Sequence, residues 1–275
     1  MFRLGLLALF LIFVSFGNGL ADEISERIKG PGMENTSPGE FKFLVKLKNK
    51  NTSKLIGAGI LLKSKVVLSI GYNYMDMKPE DLVVVLGEHD RKDDSFSQTI
   101  DVDTIKVHPQ LIKSLGTVAD VALFKLSKRP KIGDSYLVET FGLENIISSK
   151  NKEKEIFGNS EKCIVPGYGL TEWNEETEKL PSKLKKFVPQ VRQQNECEKF
   201  TTDYMKQTFL CSINDDLTAV CMYDGGTPLL CKKGGRLKLY GLTTAGTKYC
   251  SVGLSVFTRM SRYYGWIKRN ANLLK

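Results

Sequence analysis

Few side chains in this sequence could do covalent chemistry. The chain holds two histidines and six cysteines in 275 residues. His89 sits in Leu86-Gly87-Glu88-His89-Asp90, a loop after a strand, and His108 in Val107-His108-Pro109. Acyl transfer would need a hydroxyl or thiol within hydrogen-bond reach of an imidazole, plus donors for a developing oxyanion. The densest constellation is Cys221-Met222-Tyr223-Asp224-Gly225-Gly226-Thr227-Pro228-Leu229-Leu230-Cys231. It combines two cysteines, one carboxylate, paired glycines and a hydroxyl. A second acid, Asp120, stands in the apolar run Ala119-Asp120-Val121-Ala122-Leu123-Phe124-Lys125-Leu126.

The elements that position these groups read as strands. Phe41 to Leu47 alternates loosely, and Ala58–Leu62, Lys65–Ile70 and Asp81–Leu86 are short apolar runs. Lys50-Asn51-Thr52-Ser53-Lys54 reads as a turn. Short strands at this spacing predict an all-β barrel or sandwich. No helical pattern interrupts before about residue 191, and no repeat of fixed period is present. The charged stretch 144–162 reads as a connection plus a surface loop. Tyr263-Tyr264-Gly265-Trp266-Ile267-Lys268-Arg269 places apolar residues at helical spacing, predicting a packed closing helix.

These motifs resemble the chymotrypsin/trypsin-like serine proteases from about residue 28 to the C-terminus. The loop Cys221–Cys231 is similar to the family's C-x-G-D-S-G-G-P-x-x-C, with cysteines and proline at the family spacing. Gly57 to Leu62 followed by Lys65 to Tyr72 resembles G-G-S-L-I … W-V-V-S-A-A-H-C, the strand around residue 120 resembles N-D-I-A-L-L-K-L, and Cys163-Ile164-Val165-Pro166-Gly167-Tyr168-Gly169 resembles C-x-x-x-G-W-G. The resemblance implies two antiparallel six-stranded β-barrels, residues 28–140 and 141–262, and a C-terminal helix at 263–275. It also implies three disulfides, Cys163–Cys231, Cys197–Cys211 and Cys221–Cys250.

The same alignment puts Gly225 at the nucleophile, Gly71 at the catalytic histidine and Asp120 at the triad acid. Two reacting groups are therefore missing, and Asp120 is expected to accept hydrogen bonds from nearby backbone or from Thr244. Neither histidine falls where a base is needed, and both are expected to be ordinary exposed residues. Thr227 lies two positions beyond Gly225, several ångströms along an extended chain. Tyr223 replaces an oxyanion-hole glycine whose backbone angles a tyrosine resists. Ala219 stands at the specificity-pocket base, with Gly246 and Ser255 on its walls, and Tyr223 or Tyr249 is expected to fill that pocket. Arg27-Ile28 resembles an activation junction, which would pair Ile28 with Asp224. The reading is a pseudoprotease, with no cofactor and no metal.

Residues 1–21 read as a signal peptide: Arg3, an apolar run from Leu6 to Phe16, and a small-residue region ending at Ala21. Residues 22–27 read as a short pro-segment. The run is short for a membrane span, so the chain is expected to be secreted and soluble, and six cysteines fit an oxidising destination. By spacing alone they leave about 15 pairings open. Asn35-Thr36-Ser37 and Asn51-Thr52-Ser53 are N-glycosylation sequons. The net charge of +9 favours acidic partners. Basic clusters occur at 125–131, 183–186 and 232–238. Nucleic acid is not expected of a secreted chain without a recognition motif, and a monomer is expected.

A narrower similarity is to the scabies mite inactivated protease paralogues, relatives of the mite group 3 allergens. It implies secretion into the mite gut, shedding with faeces, and inhibition of host complement by binding. The alternatives are a polyanion- or carbohydrate-binding secreted protein, a protease with an unconventional catalytic set, and a non-catalytic cofactor of a proteolytic cascade.

Overall fold

In a computed structural model, the described residues are 32–111, 119–158, 162–173, 178–197, 207–246, 250 and 253–274. The first half closes into a six-stranded antiparallel barrel, ordered β2-β3-β4-β7-β6-β5. Its strands are β2 (Leu44–Asn49), β3 (Leu55–Lys63), β4 (Val66–Ser69), β5 (Leu82–Leu86), β6 (Gln98–Val107) and β7 (Ala122–Leu126). β6 shows the alternation that makes a half-buried strand: Ile100 and Val102 face in, Asp101 and Asp103 face out. β3 and β4 instead bury nearly every residue, because both their faces are covered. Gly59 permits that closeness, since a Cβ there would lie 2.8 Å from the Leu68 carbonyl oxygen.

The second half is a seven-stranded sheet, ordered β1-β11-β8-β13-β14-β15-β12. It comprises β1 (Glu34–Asn35), β8 (Cys163–Gly167), β11 (Lys185–Phe187), β12 (Phe209–Ile213), β13 (Pro228–Lys233), β14 (Arg236–Gly246) and β15 (Leu254–Arg259). Two-residue strands β9 (Glu172–Trp173) and β10 (Glu178–Lys179) pair separately. Six of the seven strands correspond to the expected second barrel; β1 adds to the outside of β11. The seam between β11 and β12 is closed by one bridge, Val191 to Ser212, flanked by Arg192 N–H to the Cys211 carbonyl at 3.0 Å.

Helix α1 (Gln194–Cys197) is one turn, and α2 (Met260–Leu273) ends the described chain. α2 starts three residues before the expected Tyr263, because Met260 is itself fully buried. Met260, Tyr263, Ile267 and Ala271 join the first barrel's apolar cluster. Each such buried side chain contributes roughly 1.5–3 kcal/mol, so the helix clamps one half onto the other.

The disulfides pair Cys163 with Cys231 across β8 and β13, Cys197 with Cys211, and Cys221 with Cys250. The connecting stretch 144–162 is not wholly a surface loop. Glu153 is 1% exposed and accepts from Arg259 Nη1 at 2.7 Å. Among the described residues no helix is long and apolar enough to cross a membrane.

Candidate functional site

The turn before β13 carries Tyr223, Asp224 and Gly225, and the end of β4 delivers Ile70 and Gly71 to the same place. Gly225 has its carbonyl fixed by the Ala58 N–H at 2.8 Å, and the Gly226 N–H reaches the Thr243 carbonyl at 2.8 Å. Gly226 needs to be glycine, with φ +88° and the Ala58 carbonyl oxygen 2.0 Å from where a Cβ would stand.

Neighbouring side chains closely approach both Gly225 and Gly71. A Cβ on Gly225 would lie 2.8 Å from Ile70 Cδ1 and 3.1 Å from Asn73 Nδ2. A Cβ on Gly71 would lie 2.9 Å from Leu111 Cδ2 and 3.0 Å from Val107 Cγ1. Real Cβ contacts are longer, so either position would have to open to receive a side chain.

Asp120 is fully buried, and its Oδ1 accepts from the Gly71 and Tyr72 N–H groups, each at 2.7 Å. Its Oδ2 accepts from the Thr244 hydroxyl. The carboxylate thus takes both expected kinds of partner. Burial pushes it up to about 6, and these donors restrain the rise.

Asp224 is also buried. It accepts from Gly169 N–H at 2.7 Å and Cys221 N–H at 3.0 Å. Burial raises it to about 6, opposed by the amides of Cys221, Gly169 and Tyr168. A cavity of about 20 Å³ lined by Val165, Leu170 and Val220 adjoins it. Ile28, its expected partner, lies outside the described residues, as do Arg27 and Tyr249.

Thr227 is fully buried with its hydroxyl 2.7 Å from that of Thr243. Its hydroxyl partner, Thr243, lines the cleft described below. Neither histidine is freely exposed, contrary to expectation. His108 is 9% exposed, with ring centroids 5.3 Å from Tyr263 and 4.9 Å from Trp266. The closing helix covers it, and burial lowers its pKa. His89 is half-buried, with Nε2 2.9 Å from the Thr36 carbonyl oxygen.

Beside Gly225 opens a cleft of about 600 Å³, lined by Lys54, Ile56, Ile70, Asn73, Met77 and Tyr223, among others. Tyr223 holds φ +70°, a region that costs a side-chain-bearing residue of order 1 kcal/mol or more. Its ring lines this cleft, 5.6 Å from Lys54 Nζ. It therefore shapes an open groove on the first barrel's side. Ala219 and Ser255 are fully buried, and Ser255 Oγ accepts from Val220 N–H at 3.1 Å. Gly246 closes β14. Asn73 and Ile70 were not legible as site residues; only their contacts with Gly225 reveal them.

This arrangement of loop, acid and paired barrels is diagnostic at the family level. The trypsin family model matches residues 31–267. The chain belongs to the trypsin family. Chymotrypsin-like elastase family member 1 of Canis lupus familiaris is 27% identical over 67% of this chain and 69% of its own. A fibrinolytic enzyme, isozyme C, of Lumbricus rubellus is 27% identical over 87% of this chain and 99% of its own. Mouse brain neuropsin, a serine protease of known structure, superposes with a TM-score of 0.71 at 25% identity. That match covers 87% of this chain and 98% of neuropsin.

One lysine in each basic cluster is ion-paired. Lys125 pairs with Asp103, Lys186 with Glu40 and Lys233 with Glu155, at 3.5, 2.7 and 2.7 Å. Among the described residues no cluster of three or more His, Cys, Asp or Glu could hold a metal.

Proposed function

We propose that this chain is a secreted, non-catalytic trypsin-family protein that acts by binding host proteins, complement components foremost. The observation that carries the reading is the filled space at Gly225 and Gly71: Ile70 and Asn73 stand against one, Leu111 and Val107 against the other. A carbonyl in the groove would meet no hydroxyl from position 225 and no imidazole from position 71. Losing one such group costs several powers of ten in rate. Similarity to the mite inactivated paralogues supplies the partner class, and with it gut and faecal localisation.

The test uses purified protein. It is expected to leave a peptide library uncut and to reduce complement haemolysis in proportion to dose, with a complement component retained from plasma. Turnover that follows the chain through purification would overturn the non-catalytic half. Unchanged haemolysis with nothing retained would overturn the binding half.

A further inference from the structure

The groove and one of the two sequons meet on the same hairpin. Asn51 lies at the tip joining β2 to β3, and residues 51–54 are all exposed. Asn49, Thr52 and Lys54, on either side of it, line the cleft. The tip is rigidly held. Asn49 Oδ1 accepts from the Asn51 and Thr52 N–H groups at 3.0 and 2.9 Å, Asn49 N–H reaches the Lys54 carbonyl at 2.9 Å, and Lys50 N–H reaches the Asp81 carbonyl at 2.8 Å. Asn51 Nδ2 donates to Asp81 Oδ1 at 3.4 Å, so a substituent is rooted on the Asp81 side of the tip, one residue from the lining Thr52. Asn35, by contrast, sits in β1 at the edge of the second sheet, opposite Lys185.

We propose that an N-linked glycan on Asn51 roofs the mouth of the cleft, so that the cleft admits a single extended polypeptide segment and excludes a broad protein face. In the modification, Asn51 Nδ2 displaces polyprenyl diphosphate from the anomeric carbon of a polyprenyl-diphosphate oligosaccharide. A C–N bond forms, the C–O bond to diphosphate breaks, and one amide proton leaves with the diphosphate. The glycan is large, polar and hydrated, so it bars bulk while leaving room beneath for a chain one strand thick. The cleft floor suits such an occupant, with apolar Ile56, Ile70 and Met77 beside polar Asn73. This inference holds whether or not the protein is catalytic.

The experiment places a reporter in the cleft. Met77→Cys, in the full chain secreted from a eukaryotic host, is labelled with a small maleimide and with a bulky poly(ethylene glycol) maleimide. Intact mass is expected to show a glycan on Asn51. The bulky reagent is expected to react about tenfold faster after Asn51→Gln, and after enzymatic deglycosylation of the folded protein, which avoids any refolding question. The small reagent should react equally in all forms, and Asn35→Gln should change nothing. An unmodified Asn51, or equal rates for the bulky reagent with and without the glycan, overturns the proposal.

Discussion

Ile70 Cδ1 stands where a side chain on Gly225 would begin, 2.8 Å from the position of its Cβ. Leu111 Cδ2 likewise stands 2.9 Å from where a Cβ on Gly71 would be. Gly225→Ser, Gly71→His and the double variant are therefore expected to show no peptide hydrolysis above blank, since the new hydroxyl and imidazole would be pushed off their geometry. General-base contact needs about 3 Å. Adding Ile70→Ala and Leu111→Ala to the double variant tests whether space is the obstacle. Hydrolysis recovered by the double variant alone would show that space is not the obstacle.

Asp120 gives a pH signature. Its folded pKa of about 6 exceeds the ordinary 3.8, so the folded state holds the proton more tightly than the unfolded chain. Its contribution to stability is fully present below pH 3.8 and is lost as pH rises through about 6, a change of roughly 3 kcal/mol. Asp120→Asn keeps an acceptor for the Gly71 and Tyr72 amides and can donate to Thr244. It is expected to match the parent in melting temperature near pH 4 and exceed it near pH 7.5. A loss of stability at neutral pH would refute this.

Lys46 is 1% exposed, ion-paired with Glu88 and 4.0 Å from the centre of the Tyr168 ring. Burial pulls it down to about 8, and Glu88 opposes the fall. Removing one partner strands the other, typically at 3–5 kcal/mol. Denaturant unfolding of Lys46→Met is expected to show such a loss, and adding Glu88→Gln should return part of it. Simple additivity in the double-mutant cycle would rule out the coupling.

The disulfides should rank by the loop they close. Cys163–Cys231 spans 68 residues and Cys197–Cys211 spans 14. Chain-entropy arguments give about 4.4 and about 3 kcal/mol. Paired Cys→Ala replacements measured by urea unfolding should follow that order; the reverse order would show that native-state effects dominate.

Much of the fold was legible in the sequence because the family spacing around Cys221–Cys231 leaves no slack; that spacing singled out Asp224, and the strand motif Ala119–Leu126 singled out Asp120. What was not legible depends on residues distant in the chain. Lys46 looks like an outward position of a loosely alternating strand. It is buried because Glu88 and Tyr168, from two other loops, close over it. His108 reads as a surface turn residue until Tyr263 and Trp266 of α2 cover it. The contact of the Tyr223 ring with Lys54, far away in the chain, could not be read from its place in the loop.

The bond between Asp120 and Thr244 joins a residue just before β7 to one on β14, and so crosses from one barrel to the other. The carboxylate acts as a bolt between two halves. The gap between them is thereby held at one width, and a ligand must match that opening as it stands.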